Sequence, residues 1–169
     1  MKVAIISDTH GCIAPQILGL IRNTDLCVHA GDIGNAAVIT QLEAEAIPVY
    51  AVLGNNDIAT KWPAQECTFL KQIPNYQTID LPGGKLCVEH GHRINPVKSR
   101  HAKLRAKYQD ARAVVYGHSH RLVCDQDTLP WILNPGAAGR SRTYGGASCI
   151  ILTISSNHRW IVKSCRITN

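Results

Sequence analysis

The sequence has 169 residues, of which 45% are hydrophobic and 18% are charged, and its formal net charge is +6 at pH 7. Length and composition predict one globular domain over residues 1–169. They exclude a membrane helix, because no run approaches the roughly 18 uninterrupted apolar residues that a span requires. Seven irregularly spaced cysteines without a Cys-x-x-Cys pair argue against a disulfide framework or a zinc knuckle. Strand-like sequence begins at Met1, so we expect no removable signal peptide and a cytoplasmic protein.

The first half of the chain alternates between predicted strands and helices. Apolar, β-branched runs predict buried strands at residues 2–7, 26–30 and 47–53. Pro15 suits the first turn of a helix over residues 15–22, and Asn35 can cap a second helix that reaches residue 45. This strand–helix–strand order predicts a parallel sheet flanked by helices.

The second half has a different character, with shorter strands separated by turn sequences. A hairpin is predicted from strands at residues 76–80 and 85–89 around the turn at 81–84. A basic helix over about residues 96–108 comes next. Further strands are predicted at residues 113–116, 122–125, 129–133, 147–155 and 160–167. Two mixed sheets packed face to face, with helices outside, would accommodate all of these elements.

Side chains that can bind metals are concentrated in short islands, each at the end of an apolar run. The islands are Asp8-Thr9-His10, Gly31-Asp32, Gly54-Asn55-Asn56-Asp57, His90-Gly91-His92 and Gly117-His118-Ser119-His120. Residues two apart in a strand point to the same side, so Asp8 and His10 can project together from a strand end. Imidazole, carboxylate and amide ligands without thiolate suit manganese, iron, nickel or zinc. The sequence therefore predicts a metal enzyme.

The order of these islands resembles the calcineurin-like metallophosphoesterase superfamily. The resemblance is greatest to its compact bacterial and archaeal phosphodiesterases, which are related to the retromer subunit Vps29. Asn134-Pro135-Gly136-Ala137 extends the resemblance to nearly the whole chain. It implies an α/β fold of four layers, in which two packed mixed sheets are flanked by helices. It also implies a phosphodiesterase that depends on two divalent metal ions.

Carried over residue by residue, the family pattern implies two ligand sets that share Asp32 as the bridge. The first ion would be held by Asp8, His10, Asp32 and His120. The second would be held by Asp32, Asn55, His90 and His118. We expect manganese, with nickel, iron and zinc as alternatives. A hydroxide between the ions would attack phosphorus in line, since coordination lowers the pKa of water to near neutrality.

Catalytic roles beyond metal binding are predicted for Asn55, Asn56, Asp57 and His92. Many superfamily members have histidine where this chain has Asn56, which can donate a hydrogen bond but cannot shuttle a proton near neutral pH. The resemblance therefore favours diesters with good leaving groups over phosphomonoesters. His92 either orients a neighbouring ligand or faces solvent, and His29, inside an apolar run, is expected to be structural. The turn at residues 134–136 either ends a strand or lines the pocket.

Two other functions are alternatives to a phosphodiesterase that acts on a small molecule. A Vps29-like scaffold for protein interactions would keep the fold without the chemistry. A nuclease is suggested by the basic stretch at residues 98–107, although the chain contains no familiar nucleic-acid-binding motif. No membrane partner is expected. A dimer is one open alternative for the oligomeric state, with Trp62 or Trp131 as candidate interface residues.

Overall fold

The computed structural model describes residues 1–140 and 142–167, and its first sheet combines strands from the first and last parts of this described chain. Its strands are β1 (Lys2–Ile6), β2 (Leu26–His29), β3 (Val49–Ala51), β9 (Ser148–Ile154) and β10 (Trp160–Arg166). They are ordered β10-β9-β1-β2-β3. β1, β2 and β3 pair in parallel, whereas β9 is antiparallel to both β1 and β10. The sheet is therefore mixed, as predicted.

The second sheet is formed by the middle of the chain. Its strands are β4 (Tyr76–Leu81), β5 (Gly84–Glu89), β6 (Ala113–Val115), β7 (Leu122–Asp125) and β8 (Trp131–Pro135). They are ordered β4-β5-β6-β8-β7. The hairpin of β4 and β5 is confirmed and is closed by Pro82 and Gly83. β5, β6 and β8 pair in parallel, and β7 is antiparallel to β8.

Four α-helices cover the outer faces of the sheets. They are α1 (Pro15–Ile21), α2 (Ala36–Glu43), α3 (Cys67–Leu70) and α4 (Arg100–Lys107). The predicted cap is confirmed, because the Asn35 side chain accepts a hydrogen bond of 3.2 Å from the Val38 amide. Short 3-10 turns precede α3 at Ala64–Glu66 and α4 at Val97–Ser99.

The hydrophobic core has three clusters, one between the two sheets and one on the outer face of each sheet. Successive side chains along a strand therefore point into different clusters. Val3 and Ile5 point between the two sheets and pack with residues such as Val88 from the second sheet. Ala4 and Ile6 point the other way, toward α1 and α2. On the far side, Leu104 of α4 packs on the outer face of β5, β6 and β8. The predicted four-layer sandwich is confirmed.

Several details differ from the sequence prediction. β8 begins at Trp131 rather than residue 129 and continues to Pro135, and α3 was not predicted at all. Trp62 was a candidate interface residue, but that prediction is wrong because only 4% of its surface is exposed. Trp62 packs against α3 through Phe69, with ring centroids 6.4 Å apart. Burial of this indole explains why a short helix forms there without a strong sequence signal.

The strand ends position the predicted islands. β1 pairs in parallel with β2, and β5 pairs in parallel with β6. Each of these four strands ends just before an island. Carboxyl ends of parallel strands meet at one edge of a sheet, which is where ligand sites form in open α/β folds. Within residues 1–140 and 142–167, no helix is long and apolar enough to cross a membrane. The extent of the domain, 1–169, stays a prediction, and its last two residues lie outside the described part.

Candidate metal centre

Two groups of side chains place metal-binding atoms within 4.8 Å of one another. The first group is Asp8, His10 and His120, and the second is Asp8, Asp32 and His90. His120 Nε2 lies 3.2 Å from Asp8 Oδ1, and His90 Nε2 lies 3.4 Å from Asp32 Oδ1. Asp8 belongs to both groups, so the two clusters are adjacent and share a carboxylate.

The backbone at these islands adopts an uncommon conformation. Five predicted ligands have φ in the left-handed region, at 54° for Asp8, 47° for His10, 55° for Asp32, 66° for His118 and 56° for His120. Such residues are a small minority outside glycine, and each costs free energy unless its surroundings enforce it. Their concentration at one edge of the sandwich indicates a functional site rather than ordinary turns.

Asp32 has one carboxylate oxygen directed to each side of the cluster. Oδ1 faces His90, and Oδ2 lies 3.9 Å from His10 Nε2. Asn56 donates to Oδ1 from its amide N–H at 2.8 Å and to Oδ2 from its side chain at 2.5 Å. Burial opposes ionisation of Asp32 most strongly, but the nearby His90 imidazole and the hydrogen bonds from Asn56 outweigh it and hold the Asp32 pKa well below the ordinary value. Asp32 is therefore ionised at neutral pH.

Two buried atoms in the described residues test whether a cation fits this site. Asp8 Oδ1 and His90 Nε2 lie in the cluster with no hydrogen-bond partner. Both side chains are fully enclosed, with 0% and 1% of their surfaces exposed. A buried polar atom without a partner is costly, most of all on a carboxylate. A divalent cation between these atoms would satisfy both, so the residues fit a metal.

The histidine tautomers also suit metal binding. His90 Nδ1 lies 2.8 Å from the Ala30 carbonyl oxygen, and His120 Nδ1 lies 3.1 Å from the Arg142 carbonyl oxygen. A carbonyl can only accept, so each Nδ1 carries the proton in these contacts and Nε2 keeps its lone pair. In both residues Nε2 is the atom directed into the cluster. This arrangement, a ligand histidine oriented by a carbonyl, is common in metal sites.

Asn55 and His118 lie together beside His90. His118 Nδ1 is 2.9 Å from Asn55 Oδ1, and the His118 ring centroid is 5.3 Å from that of His90. Burial is the largest cause that lowers the pKa of His118, and nearby His90 lowers it further. The structure thus brings all seven predicted ligands to one edge. Asn55 and His118 stand outside the two tight groups, on the side of His90.

His92 lies next to this second set. Its ring centroid is 5.5 Å from His90 and 6.2 Å from His118. Its Nδ1 is buried without a hydrogen-bond partner in the described part of the chain. Burial lowers the pKa of His92, and the nearby His90 and Arg93 lower it further. His92 is therefore a partly buried side chain beside the cluster, and its lowered pKa favours the neutral form at pH 7.

The Asp57 carboxylate is bonded to the protein itself rather than directed at the cluster. Its carboxylate accepts hydrogen bonds from the backbone N–H groups of Ile33, Gly34 and Gly54 and from the Trp62 indole. These donors belong to the loops that carry Asp32 and Asn55. Asp57 is only 3% exposed. These contacts suit a positioning role for Asp57, in which it joins the two loops, and its catalytic role stays a prediction.

Asn134 and His29 also hold the loops in place. Asn134 is fully buried and donates to the Gly117 carbonyl at 2.8 Å and to Ser119 Oγ at 3.1 Å, which restrains the His118–His120 loop. His29 accepts from the Gly31 N–H at Nδ1 and contacts Thr9 Oγ1 at 2.9 Å through Nε2. The structural role expected for His29 agrees with these contacts.

Three side chains that contact the cluster were not predicted as site residues from the sequence. Ser7 donates a hydrogen bond to Asp8 Oδ2, which leaves Oδ1 directed at the histidines. Arg142 Nη2 lies 3.1 Å from His10 Nε2. Lys61 donates to Asn56 Oδ1 at 2.5 Å. Both cations come from loops without a spacing rule that relates them to the islands, so only the fold could reveal them.

Comparison with solved structures reveals proteins of the same architecture. A single mutant of Vps29 from Entamoeba histolytica aligns over 99% of this chain and 100% of its own, with a TM-score of 0.74 and 18% identity. A structure described as a novel archaeal phosphodiesterase aligns over 98% of this chain and 100% of its own, with a TM-score of 0.71 and 22% identity. At these identities, the likeness establishes the fold.

Sequence comparison establishes the family. A phosphodiesterase of Methanocaldococcus jannaschii is 26% identical over 144 residues, which cover 80% of this chain and 83% of that protein. A probable metallophosphoesterase of the same archaeon is 25% identical over 143 residues, which cover 81% of this chain and 68% of that protein. The model of the calcineurin-like phosphoesterase superfamily domain matches residues 1–157. The chain therefore belongs to the calcineurin-like phosphoesterase superfamily.

Proposed function

We propose that this protein is a phosphodiesterase that uses two divalent metal ions to hydrolyse a small-molecule phosphodiester. The observation that carries the proposal is the pair of buried atoms without partners, Asp8 Oδ1 and His90 Nε2, directed into one cluster of ionisable groups. A protein that used this fold only as a scaffold would gain nothing from such atoms, and their burial would cost stability.

The proposed ligand sets follow the two sides of the cluster. One ion would be held by Asp8, His10, Asp32 and His120, and the other by Asp32, Asn55, His90 and His118. The two directions of the Asp32 oxygens support its role as the bridge. When bound, the ions, manganese first with nickel, iron or zinc as alternatives, would activate the attacking water and neutralise charge on the phosphoryl oxygens.

The chain's own residues contribute position and charge. Asn56 fixes both oxygens of Asp32 through its two donors, and Asp57 fixes the loops on which Asp32 and Asn55 lie. Catalytic gain of this kind comes from groups that are already oriented before the reaction, since they need no rearrangement as charge develops. His92, neutral and beside His90, would orient the second ligand set or contact the substrate.

A small diester is a better candidate than a nucleic acid as the substrate. In the basic helix α4, Arg105 pairs with Asp125 at 2.5 Å, and Lys107 pairs with Glu89. Lys103 donates to the Asn95 carbonyl. Cations that are already engaged with acidic or carbonyl oxygens offer less attraction to a phosphate backbone. We further propose a cytoplasmic location, where the free cysteines of the chain would stay reduced.

A Vps29-like scaffold for protein interactions is the second candidate. The structural likeness to Vps29, with a TM-score of 0.74, favours it. The two functions make different demands on the cluster, because only the phosphodiesterase requires metal for its activity. The interaction function would survive loss of both ions.

A metal reconstitution experiment tests the proposed function. Metal-stripped protein is reloaded separately with manganese, nickel, zinc, iron and magnesium, and metal content is measured beside hydrolysis of a panel of phosphodiesters and monoesters. We expect two ions per chain and diesterase activity that returns with the metal. Two bound ions without hydrolysis of any ester would favour the scaffold.

A further inference from the structure

The side chain of Asn56 is held between a carboxylate and a cation. Its Nδ2 donates to Asp32 Oδ2 at 2.5 Å, and its Oδ1 accepts from Lys61 Nζ at 2.5 Å. Asp32 Oδ2 is the oxygen that faces His10, whose side chain is 19% exposed and lies on the open side of the cluster. The Lys61 ammonium is therefore one side chain away from the proposed centre, on the side from which a substrate can enter.

The backbone that carries Lys61 is fixed by its neighbours. The amides of Lys61 and Trp62 both donate to the Ile58 carbonyl, at 2.9 and 3.2 Å. The buried Trp62 indole donates to Asp57 Oδ1 at 3.0 Å, and Asp57 also accepts from Gly54. The turn from residue 58 to residue 62 is thus bonded to the same carboxylate that joins the metal-binding loops. Lys61 projects from a fixed turn, so its exposed side chain can move although its backbone is held in place.

Cleavage of a phosphodiester leaves negative charge on the departing oxygen, and some group must stabilise it. Asn56 is neutral, and the histidines of the cluster are committed as ligands in the proposed function. Among the described residues whose hydrogen bonds reach the cluster, Lys61 and Arg142 have cationic side chains. Arg142 contacts His10 with its guanidinium and His120 with its carbonyl, both ligands of the same ion. That position suits the phosphoryl oxygens beside the ion.

We propose that Lys61 is a catalytic residue that contacts the departing oxygen of the phosphodiester. The inference rests on the proposed function. The oxygen of the attacking water forms a bond to phosphorus and releases its proton to solvent. The bond between phosphorus and the departing oxygen breaks, and the electron pair goes to that oxygen. The Lys61 ammonium donates a hydrogen bond to the developing oxyanion, which then takes a proton from solvent. Lys61 leaves Asn56 Oδ1 to make this contact.

The need for this contact depends on the leaving group. A nitrophenolate is a stable anion and gains little from a hydrogen bond, whereas an alkoxide gains much. Removal of a preorganised donor from a developing oxyanion costs roughly 100-fold to 1,000-fold in rate, and a lysine that must first leave Asn56 contributes less. Loss of Lys61 should therefore slow the cleavage of diesters with poor leaving groups far more than that of activated ones. A lysine that only held Asn56 in place would affect all leaving groups alike.

The test compares Lys61→Met and Lys61→Arg with wild type on diesters whose leaving groups span nitrophenol to simple alcohols. Lys71→Met is the matched control, because Lys71 is also an exposed lysine and lies in the turn after α3. Metal content is measured for every variant. We expect Lys61→Met to retain two ions and to lose more than about 10-fold, but less than about 100-fold, on alkyl diesters. The loss on nitrophenyl diesters should be much smaller. Lys61→Arg should restore most of the loss.

Two results would overturn the assignment, and each differs from a failure of the proposed function. Equal loss across the series would show that Lys61 acts on the fold or on Asn56, and full activity of Lys61→Met on alkyl diesters would show that Lys61 makes no contribution to catalysis. Asn56→Ala distinguishes a direct role of Lys61 from a role through Asn56. If Lys61 acts only through Asn56, Lys61→Met should cause no further loss of activity when it is combined with Asn56→Ala. If metal-loaded wild type cleaves no diester, the proposed function fails and the assignment of Lys61 fails with it.

Discussion

His90 Nε2 lies 3.4 Å from Asp32 Oδ1, and both side chains are buried at the ends of strands from different sheets. Asp32 follows β2 of the first sheet, and His90 follows β5 of the second. Burial opposes the charged form of His90, but the nearby carboxylates of Asp32 and Asp8 outweigh it and raise the His90 pKa. The contact therefore joins the two sheets at the candidate metal centre, where a cation would bind both the Nε2 lone pair and the carboxylate.

Replacement of Asp32 should remove the bridge between the two ions. We expect Asp32→Ala to bind at most one ion per chain and to lose more than about 100-fold in diesterase activity, since even loss of a residue that supports a ligand commonly costs 10-fold to 100-fold. Metal content is measured by elemental analysis beside turnover. Asp127→Ala, an exposed aspartate in a loop, is the control and should retain both properties. A variant with two ions and normal turnover would eliminate the bridging role.

Gly54 should tolerate no side chain, because a Cβ there would overlap with Asp32 Oδ1 and the Asp32 amide. We expect Gly54→Ala to destabilise the fold by about 1–3 kcal/mol, the usual cost of overpacking, and to weaken metal binding. Gly19→Ala is the matched control, since a Cβ on that helix would meet nothing within 4 Å. The control should stabilise the protein by about 0.8–1 kcal/mol through helix propensity. Denaturant unfolding of both variants provides the measurement, and equal stabilities would contradict the steric argument.

His29 should make the metal-free protein less stable in acid. Burial lowers its pKa from 6.5 to about 4, despite the opposing charge of Asp57. Since the folded state resists protonation that the unfolded state accepts, the contribution of His29 is complete above pH 6.5 and decreases toward pH 4. A shift of this size corresponds to about 3 kcal/mol.

The measurement is the free energy of unfolding at several pH values between 4 and 7 for wild type and His29→Gln. Glutamine does not titrate, so its curve should be flatter than that of wild type over this window. His158→Gln, which replaces an exposed histidine, should follow wild type. Parallel curves for wild type and His29→Gln would show that His29 does not titrate differently on folding.

Asn56 should set the preference for diesters over monoesters. An amide cannot transfer a proton near neutral pH, so wild type should cleave activated diesters better than alkyl monoesters. Asn56→His should raise monoesterase activity or narrow the difference. Because Asn56 also bonds both oxygens of Asp32, metal content must be matched before rates are compared. Hydrolysis of alkyl monoesters by wild type at the diester rate would contradict this account.

The predictable part of this protein is the part governed by periodicity and strand ends. Asp8 and His10 follow an apolar run, and their two-residue spacing indicated that they project together from the end of β1. The alternation of Val3 and Ile5 with Ala4 and Ile6 likewise indicated a strand buried on both faces. These features depend on local sequence, so the pattern alone could predict them.

The remaining features depend on contacts between distant segments. The contacts of Asp57 could not be predicted, because the same Gly-Asn-Asn-Asp island contains a predicted ligand and a carboxylate that binds loop amides, and spacing cannot distinguish them. Lys61 and Arg142 reach the cluster from loops whose paths are set by a buried indole and by a carbonyl contact to His120. The shift of β8 to Trp131–Pro135 reflects its parallel pairing with β6, which no local signal specifies.

The most direct test of the central claim is the number of ions that the cluster binds. Metal-stripped protein is titrated with Mn²⁺ under calorimetry, and spin resonance at saturation reports whether bound ions are close neighbours. The account predicts two ions per chain with the coupled signal of a pair about 3.5–4 Å apart, and loss of that signal in Asp32→Ala. Saturation at one ion per chain, or two ions without coupling, would contradict it.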